Sequence, residues 1–134
     1  MTHLDTSFVV DLLREATRGA RGPAHALLDR LADEPLAVSV HVACELYAGA
    51  ELTKEPEQER SKISALLAAL EVVGPDDHFP HRYGEVLAEL RRRGQSIATM
   101  DLLIAVAALG HGVPLVTRNA RDFDRVPGLL VTGY

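Results

Sequence analysis

Four acidic residues stand where the surrounding pattern gives a lone carboxylate no evident folding role. Asp5 closes the lead His3-Leu4, Glu45 lies among Val42, Ala43, Cys44, Leu46, Tyr47 and Ala48, Asp101 opens the apolar run Leu102 to Leu109, and Asp122 follows Leu115-Val116-Thr117. None has an obvious basic partner within its own segment. Burying an unpaired carboxylate is costly, so Glu45 either turns to solvent beside Glu51 or shares a counter-charge. If the four acids converge, their repulsion raises their pKa values unless a cation stands among them. Magnesium suits such a set, because it is hard, takes oxygen ligands, and is held by a few carboxylates while keeping water for chemistry. The six histidines are scattered without HExxH or paired spacing, which leaves zinc without a site.

The elements that must position these acids follow from periodicity. Leu102 to Leu109 is apolar nearly all round, as in a buried helix, and Gly110 and Gly112 are expected to stop it. Pro114 opens a strand over Leu115 to Thr117, and Asn119 is placed to cap the turn that presents Asp122. A short first strand ends at Asp5, with Thr6 or Ser7 capping a helix that carries Phe8, Val9, Val10, Leu12 and Leu13. Glu15 to Pro23, with Arg18 and Arg21 among Gly19 and Gly22, reads as a basic turn. Ala24, Leu27, Leu28 and Leu31 mark an amphipathic helix, Leu36-Ala37-Val38 a second strand, and Ser39 the cap of the helix holding Glu45.

The charged stretch Glu51 to Lys62 reads as an exposed connection. A helix on Ile63, Leu66, Leu67 and Leu70 and a strand Glu71-Val72-Val73 follow. Asp76 or Asp77 caps a helix through Tyr83, Val86, Leu87 and Leu90, whose last turn holds Arg91-Arg92-Arg93, suited to the negative end of the helix dipole. Leu129-Leu130-Val131 makes a final edge strand. The order β-α-α-β-α-α-β-α-α-β-α-β predicts a parallel sheet covered on both faces. In such sheets ligands sit beyond the carboxyl ends of the strands, where Asp5, Thr117, Asn119 and Asp122 fall.

Composition narrows the classes. A chain of 134 residues fits one domain able to bury roughly two-thirds of its unfolded surface. It has a single cysteine, Cys44, expected as a small buried apolar residue, so no internal disulfide or cysteine metal site is available. The net charge of -5 argues against coating nucleic acid through a broad basic surface. Without tryptophan and with few aromatics, stacking on single strands is not expected. No segment approaches a membrane span, and the first residues lack the basic and apolar regions of a signal peptide. The expected location is the cytoplasm.

The chain resembles the PIN-domain ribonucleases, and within them the VapC-type toxins of toxin-antitoxin pairs. The resemblance is carried by Leu4-Asp5-Thr6-Ser7, by Ala43-Cys44-Glu45-Leu46-Tyr47-Ala48-Gly49, by Met100-Asp101-Leu102-Leu103-Ile104-Ala105, and by Leu115-Val116-Thr117-Arg118-Asn119 through Asp122-Phe123 to Gly128-Leu129. These blocks come in the family's order and span nearly the whole chain. The resemblance implies one PIN-like three-layer α/β/α domain over residues 1–134, with a mainly parallel central sheet of four to five short strands. It makes Asp5, Glu45, Asp101 and Asp122 the catalytic, metal-binding acids, with Asp124 as substitute or helper for the fourth, and Ser7, Thr117 and Asn119 as polar support.

The activity so implied is magnesium-dependent hydrolysis of RNA, with manganese able to substitute, by a homodimer neutralised by a cognate antitoxin. Arg118 and Arg121 lie beside the predicted site and are placed to contact substrate phosphates. Two rivals stand beside this reading. A receiver-type signalling module also pairs clustered acids with magnesium, but needs a lysine after a late strand, and the only lysines are Lys54 and Lys62 in the charged connection. A catalytically silent PIN fold that binds proteins would carry the same acids without productive geometry.

Overall fold

The computed structural model describes residues 1–134. The strands are β1 (Thr2–Leu4), β2 (Leu36–Ser39), β3 (Glu71–Val73), β4 (Leu115–Val116) and β5 (Val131–Thr132), and the helices are α1 (Thr6–Arg18), α2 (Pro23–Arg30), α3 (Val40–Glu51), α4 (Pro56–Leu67), α5 (Phe79–Arg92), α6 (Thr99–His111) and α7 (Ala120–Phe123). The five strands form one sheet in the order β3-β2-β1-β4-β5, and every pair is parallel. The element order matches the predicted alternation.

The chain steps from β1 to β2 to β3, then crosses back to lay β4 on the other side of β1. Right-handed crossovers therefore send the helices before and after this reversal to opposite faces, giving three layers. The strand order switches between β1 and β4, and a crevice for ligands opens beyond the carboxyl ends of two such strands. Register pairs Leu4 with Val116, so Asp5 and Thr117 are the residues that emerge side by side at that crevice.

One apolar cluster holds the layers together, with Leu4, Phe8, Val38, Leu102, Val106, Val116 and Phe123 at its centre. α6 is the buried helix expected, with Leu102, Ile104, Ala105, Val106 and Ala108 inside. Its end differs from the sequence reading. Gly112, at φ 64°, closes the helix, whereas Gly110 stays within it and lets Arg82 lie against the backbone; a Cβ there would come 2.6 Å from Arg82 Nη1.

Other local expectations are corrected as well. α1 continues through Arg18 to a left-handed Gly19, so Glu15 belongs to a helix and not to a turn. Its carboxylate accepts the Gly22, Ala24 and His25 backbone N–H groups and pairs with the His25 ring at 2.7 Å, which caps α2 from outside. Ser39 caps α3 as expected, accepting Val42 N–H at 3.3 Å. Ahead of α5 the cap position is His78, and Asp76 instead accepts His78 N–H at 3.0 Å. Cys44 is exposed, because Val42, Leu46 and Ala50 form the buried side of α3 and position 44 falls off it.

Candidate active site

Asp5 is the residue before α1, yet its carboxylate makes no cap hydrogen bond. It is 3% exposed, and two hydroxyls hold it instead. Ser7 Oγ donates to Asp5 Oδ2 at 2.8 Å, and Thr117 Oγ1 donates to the same oxygen at 2.7 Å. Each hydroxyl has one proton and uses it here. Each then accepts a backbone N–H, Ser7 from Arg118 at 3.1 Å and Thr117 from Asn119 at 2.9 Å. The network ties β1, the start of α1 and the turn after β4 into one frame. It loads Oδ2 with both hydroxyl hydrogen bonds.

Glu45 does not turn away beside Glu51. Thr6 Oγ1 donates to its Oε1 at 2.7 Å, holding the α3 carboxylate against the first turn of α1. Thr6 and Ser7, expected as alternative caps for α1, are therefore both inside the helix and serve one acid each. A threonine beside the first acid was visible in the sequence, but nothing there said which partner it would take.

Asp101 lies in the first turn of α6. Burial, followed by the charges of Asp5, Glu45 and Asp122, pushes its carboxyl up from 3.8 to about 6. Three acids, one just after β1 and the others on α3 and α7, thus act on Asp101 at the carboxyl end of the sheet. Asp122 is half-buried and has Arg125 Nη2 at 3.7 Å, a partner three residues along its own segment that the sequence reading overlooked. Asp124 is exposed at the end of α7 and is not among the charges acting on Asp101. The structure gathers Asp5, Glu45, Asp101 and Asp122 and leaves Asp124 at the rim.

Asn119 presents Asp122 through its main chain, its carbonyl accepting the Asp122 and Phe123 N–H groups at 3.0 and 3.3 Å; its side chain makes no cap bond. Arg121 is exposed on α7. Arg118 is exposed too and pairs with Asp11 at 2.8 Å. The other Asp11 oxygen accepts the Tyr134 hydroxyl at 2.6 Å. Asp11 and Tyr134 had no signal in the sequence, since one is an ordinary helix-surface acid and the other lies beyond the last strand.

No three histidine, cysteine or carboxylate side chains stand close enough to enclose a bare metal ion. The donor set nevertheless fits magnesium, which uses one or two carboxylates directly and keeps several waters. The crowding that raises Asp101 is the charge imbalance such a cation would relieve. A separate groove of about 490 Å³ between α1, α3 and α4 meets this centre at Glu45, with Arg14, Leu46 and Lys62 on its walls.

A five-stranded parallel α/β fold with acids gathered at its switch point defines the class of protein to which this chain belongs. The model of the PIN domain family matches residues 3–129, and the chain belongs to that family. It is 35% identical over 99 residues to ribonuclease VapC2 of Rickettsia felis, covering 74% of each chain. It is 32% identical over 99 residues to the tRNA(fMet)-specific endonuclease VapC of Salmonella typhimurium, covering 74% of this chain and 75% of that one. The crystal structure of VapBC2 from Rickettsia felis, bound to a DNA fragment from its promoter, superposes with a TM-score of 0.88 at 31% identity, covering 99% of this chain and 98% of that one. Family membership removes the receiver-type rival.

Proposed function

We propose that this chain is a magnesium-dependent endoribonuclease toxin, active as a homodimer in the cytoplasm and neutralised by a cognate antitoxin. The observation that carries the reading is Asp101, whose carboxyl is pushed up to about 6 by burial and by Asp5, Glu45 and Asp122 at the switch point of the sheet. The ribonuclease names of its relatives and the VapBC likeness support the activity and the antitoxin.

When bound, magnesium, or manganese in its place, supplies a water of lowered pKa and offsets charge on the scissile phosphate. The chain's own residues prepare the centre. Ser7 and Thr117 fix Asp5 through one of its oxygens, and Thr6 holds Glu45. Asp101 and Asp122 complete an all-oxygen set that repels the RNA backbone until its charge is offset. The same imbalance explains neutralisation, because a guanidinium from an antitoxin segment can replace part of a cation's charge with hydrogen bonds.

The test is cleavage of labelled initiator transfer RNA and of total RNA, in magnesium, manganese or EDTA, beside Asp5→Ala. Cleavage that EDTA stops and Asp5→Ala lacks supports the reading; cleavage untouched by EDTA refutes the metal. The silent protein-binding reading gains from the absence of an enclosed three-ligand site. It would prevail if neither ion raised the melting temperature and no RNA were cut.

A further inference from the structure

We propose that the end of α5 is a docking flank for the RNA backbone, with Arg91, Arg92 and Arg93 contacting phosphates beside the acidic centre. This rests on the ribonuclease reading and names how its substrate is held. In the sequence these arginines suit the helix dipole, but the structure gives that end another cap. Gly94, at φ 66°, donates its N–H to Arg91 O at 3.1 Å, and Gln95 donates to Leu90 O at 2.9 Å. This paired closure satisfies the Leu90 and Arg91 carbonyls with backbone alone.

The three guanidiniums are then left with one acid between them. Arg92 and Arg93 both pair with Glu89, at 3.2 and 2.9 Å, and stay 71% and 51% exposed. Arg91 is exposed and has no ion pair. In a chain of net charge -5, this is a local concentration of positive charge that Glu89 alone offsets.

Its place matters. The turn from Gly94 to Ala98 joins α5 to α6, whose first turn carries Asp101. Arg125 Nη1 donates to Ser96 O at 2.8 Å, while its Nη2 lies 3.7 Å from Asp122 Oδ1. The turn is therefore fastened to the same segment that supplies the fourth acid. Arginine forks match phosphate geometry, and phosphate contacts fix register without reading sequence. An acidic protein segment laid here would meet the four carboxylates and be repelled, whereas an RNA chain carries its scissile phosphate to the centre where a cation offsets both.

The experiment is fluorescence anisotropy of a labelled single-stranded 20-nucleotide RNA in EDTA, titrated with the full chain at several KCl concentrations. The variants are Arg91→Ala/Arg92→Ala/Arg93→Ala and, with the same charge change elsewhere, Arg21→Ala/Arg30→Ala/Arg60→Ala; melting temperatures confirm folding. Three lost phosphate contacts should lower the salt slope by about 2 and weaken binding on the order of tenfold to a hundredfold at low salt, with the control set unchanged. Equal losses in both sets would reduce the effect to net charge and overturn the proposal, as would unchanged binding in the α5 set. Polyglutamate that displaced RNA through the same arginines would assign the flank to an acidic protein and overturn it too. If the parent chain binds no RNA, the ribonuclease reading falls and takes the flank with it.

Discussion

Thr117 Oγ1 and Asp5 Oδ2 lie 2.7 Å apart, joining the ends of two neighbouring parallel strands, and both residues are buried. The hydroxyl gives its proton to the carboxylate and takes one from Asn119 N–H. Replacing it with the isosteric valine, Thr117→Val, strands the Asn119 N–H and removes one of the two hydrogen bonds to Asp5 Oδ2. Such a change costs about 1–3 kcal/mol, and Asp5 is left held by Ser7 alone. The expected outcome is a lower urea midpoint together with RNA cleavage reduced well beyond the loss of folded protein. A variant that is destabilised yet cleaves normally per folded molecule would separate Thr117 from the site.

Asp101→Asn should stabilise the metal-free protein at neutral pH. The folded carboxyl titrates near 6 against an ordinary 3.8, so the folded state holds this proton more tightly than the unfolded chain. Stability therefore falls as pH rises from about 4 to about 6 and stays lower above that. A two-unit shift corresponds to about 3 kcal/mol, and partial exposure and solvent screening reduce it to about 1 kcal/mol. That is a rise in melting temperature of roughly 3–5 °C at pH 7.5, closing toward pH 4. The parent should gain about 1.4 kcal/mol from magnesium or manganese at ten times its dissociation constant, and the variant far less. Equal metal responses would place the cation away from Asp101.

The frame of the site was more legible than its fastenings. The apolar run at Leu102 to Leu109 and the alternation of strands and helices specify the parallel sheet, and acids at strand ends and in apolar helices mark the crevice. Side-chain partners do not follow from period. Thr6 and Ser7 look like interchangeable caps in sequence, but the rotation of about 100° between consecutive helix residues sends one to Glu45 and the other to Asp5. Arg125 near Asp122, Glu15 beneath α2 and the exposed Cys44 were missed because each depends on where a helix ends or which stripe it buries. The arginines after Leu90 were read as a cap because a backbone closure by Gly94 and Gln95 depends on dihedral angles.

Tyr134→Phe tests the outer fastening of Arg118. The ring packs edge-on against Phe8 with centroids 5.0 Å apart, and phenylalanine keeps that contact while removing the donor to Asp11. The loss should be modest, about 1 kcal/mol. Asp11 then has both oxygens available to Arg118 and holds it more firmly. The expected kinetic result is a raised KM for RNA with kcat nearly unchanged, and Arg118→Ala should raise KM without further effect from the tyrosine change. A fall in kcat alone would put Tyr134 in contact with the acids instead.

Glu15→Gln should expose a second acid-sensitive point far from the crevice. Burial works to raise this carboxyl, but hydrogen bonds from the His25 ring and from the His25, Ala24 and Gly22 N–H groups outweigh it and bring it down to about 2. A depressed folded pKa contributes stability that is present above the ordinary carboxylate range and is lost as pH falls toward 2. The glutamine variant should melt lower than the parent at pH 7, by a margin that shrinks as both are taken to acid. A constant difference across that range would assign the effect to shape and not to charge.

The pairing of Asp5 with Thr117 spans 112 residues of sequence, and this bears on timing. β1 leaves the ribosome long before its β4 neighbour has been made, so the hydroxyl that orients the first acid arrives only after nearly all the other elements. Contacts of such separation close late. An incomplete chain can carry Asp5, Glu45 and even Asp101 without the frame that aims them.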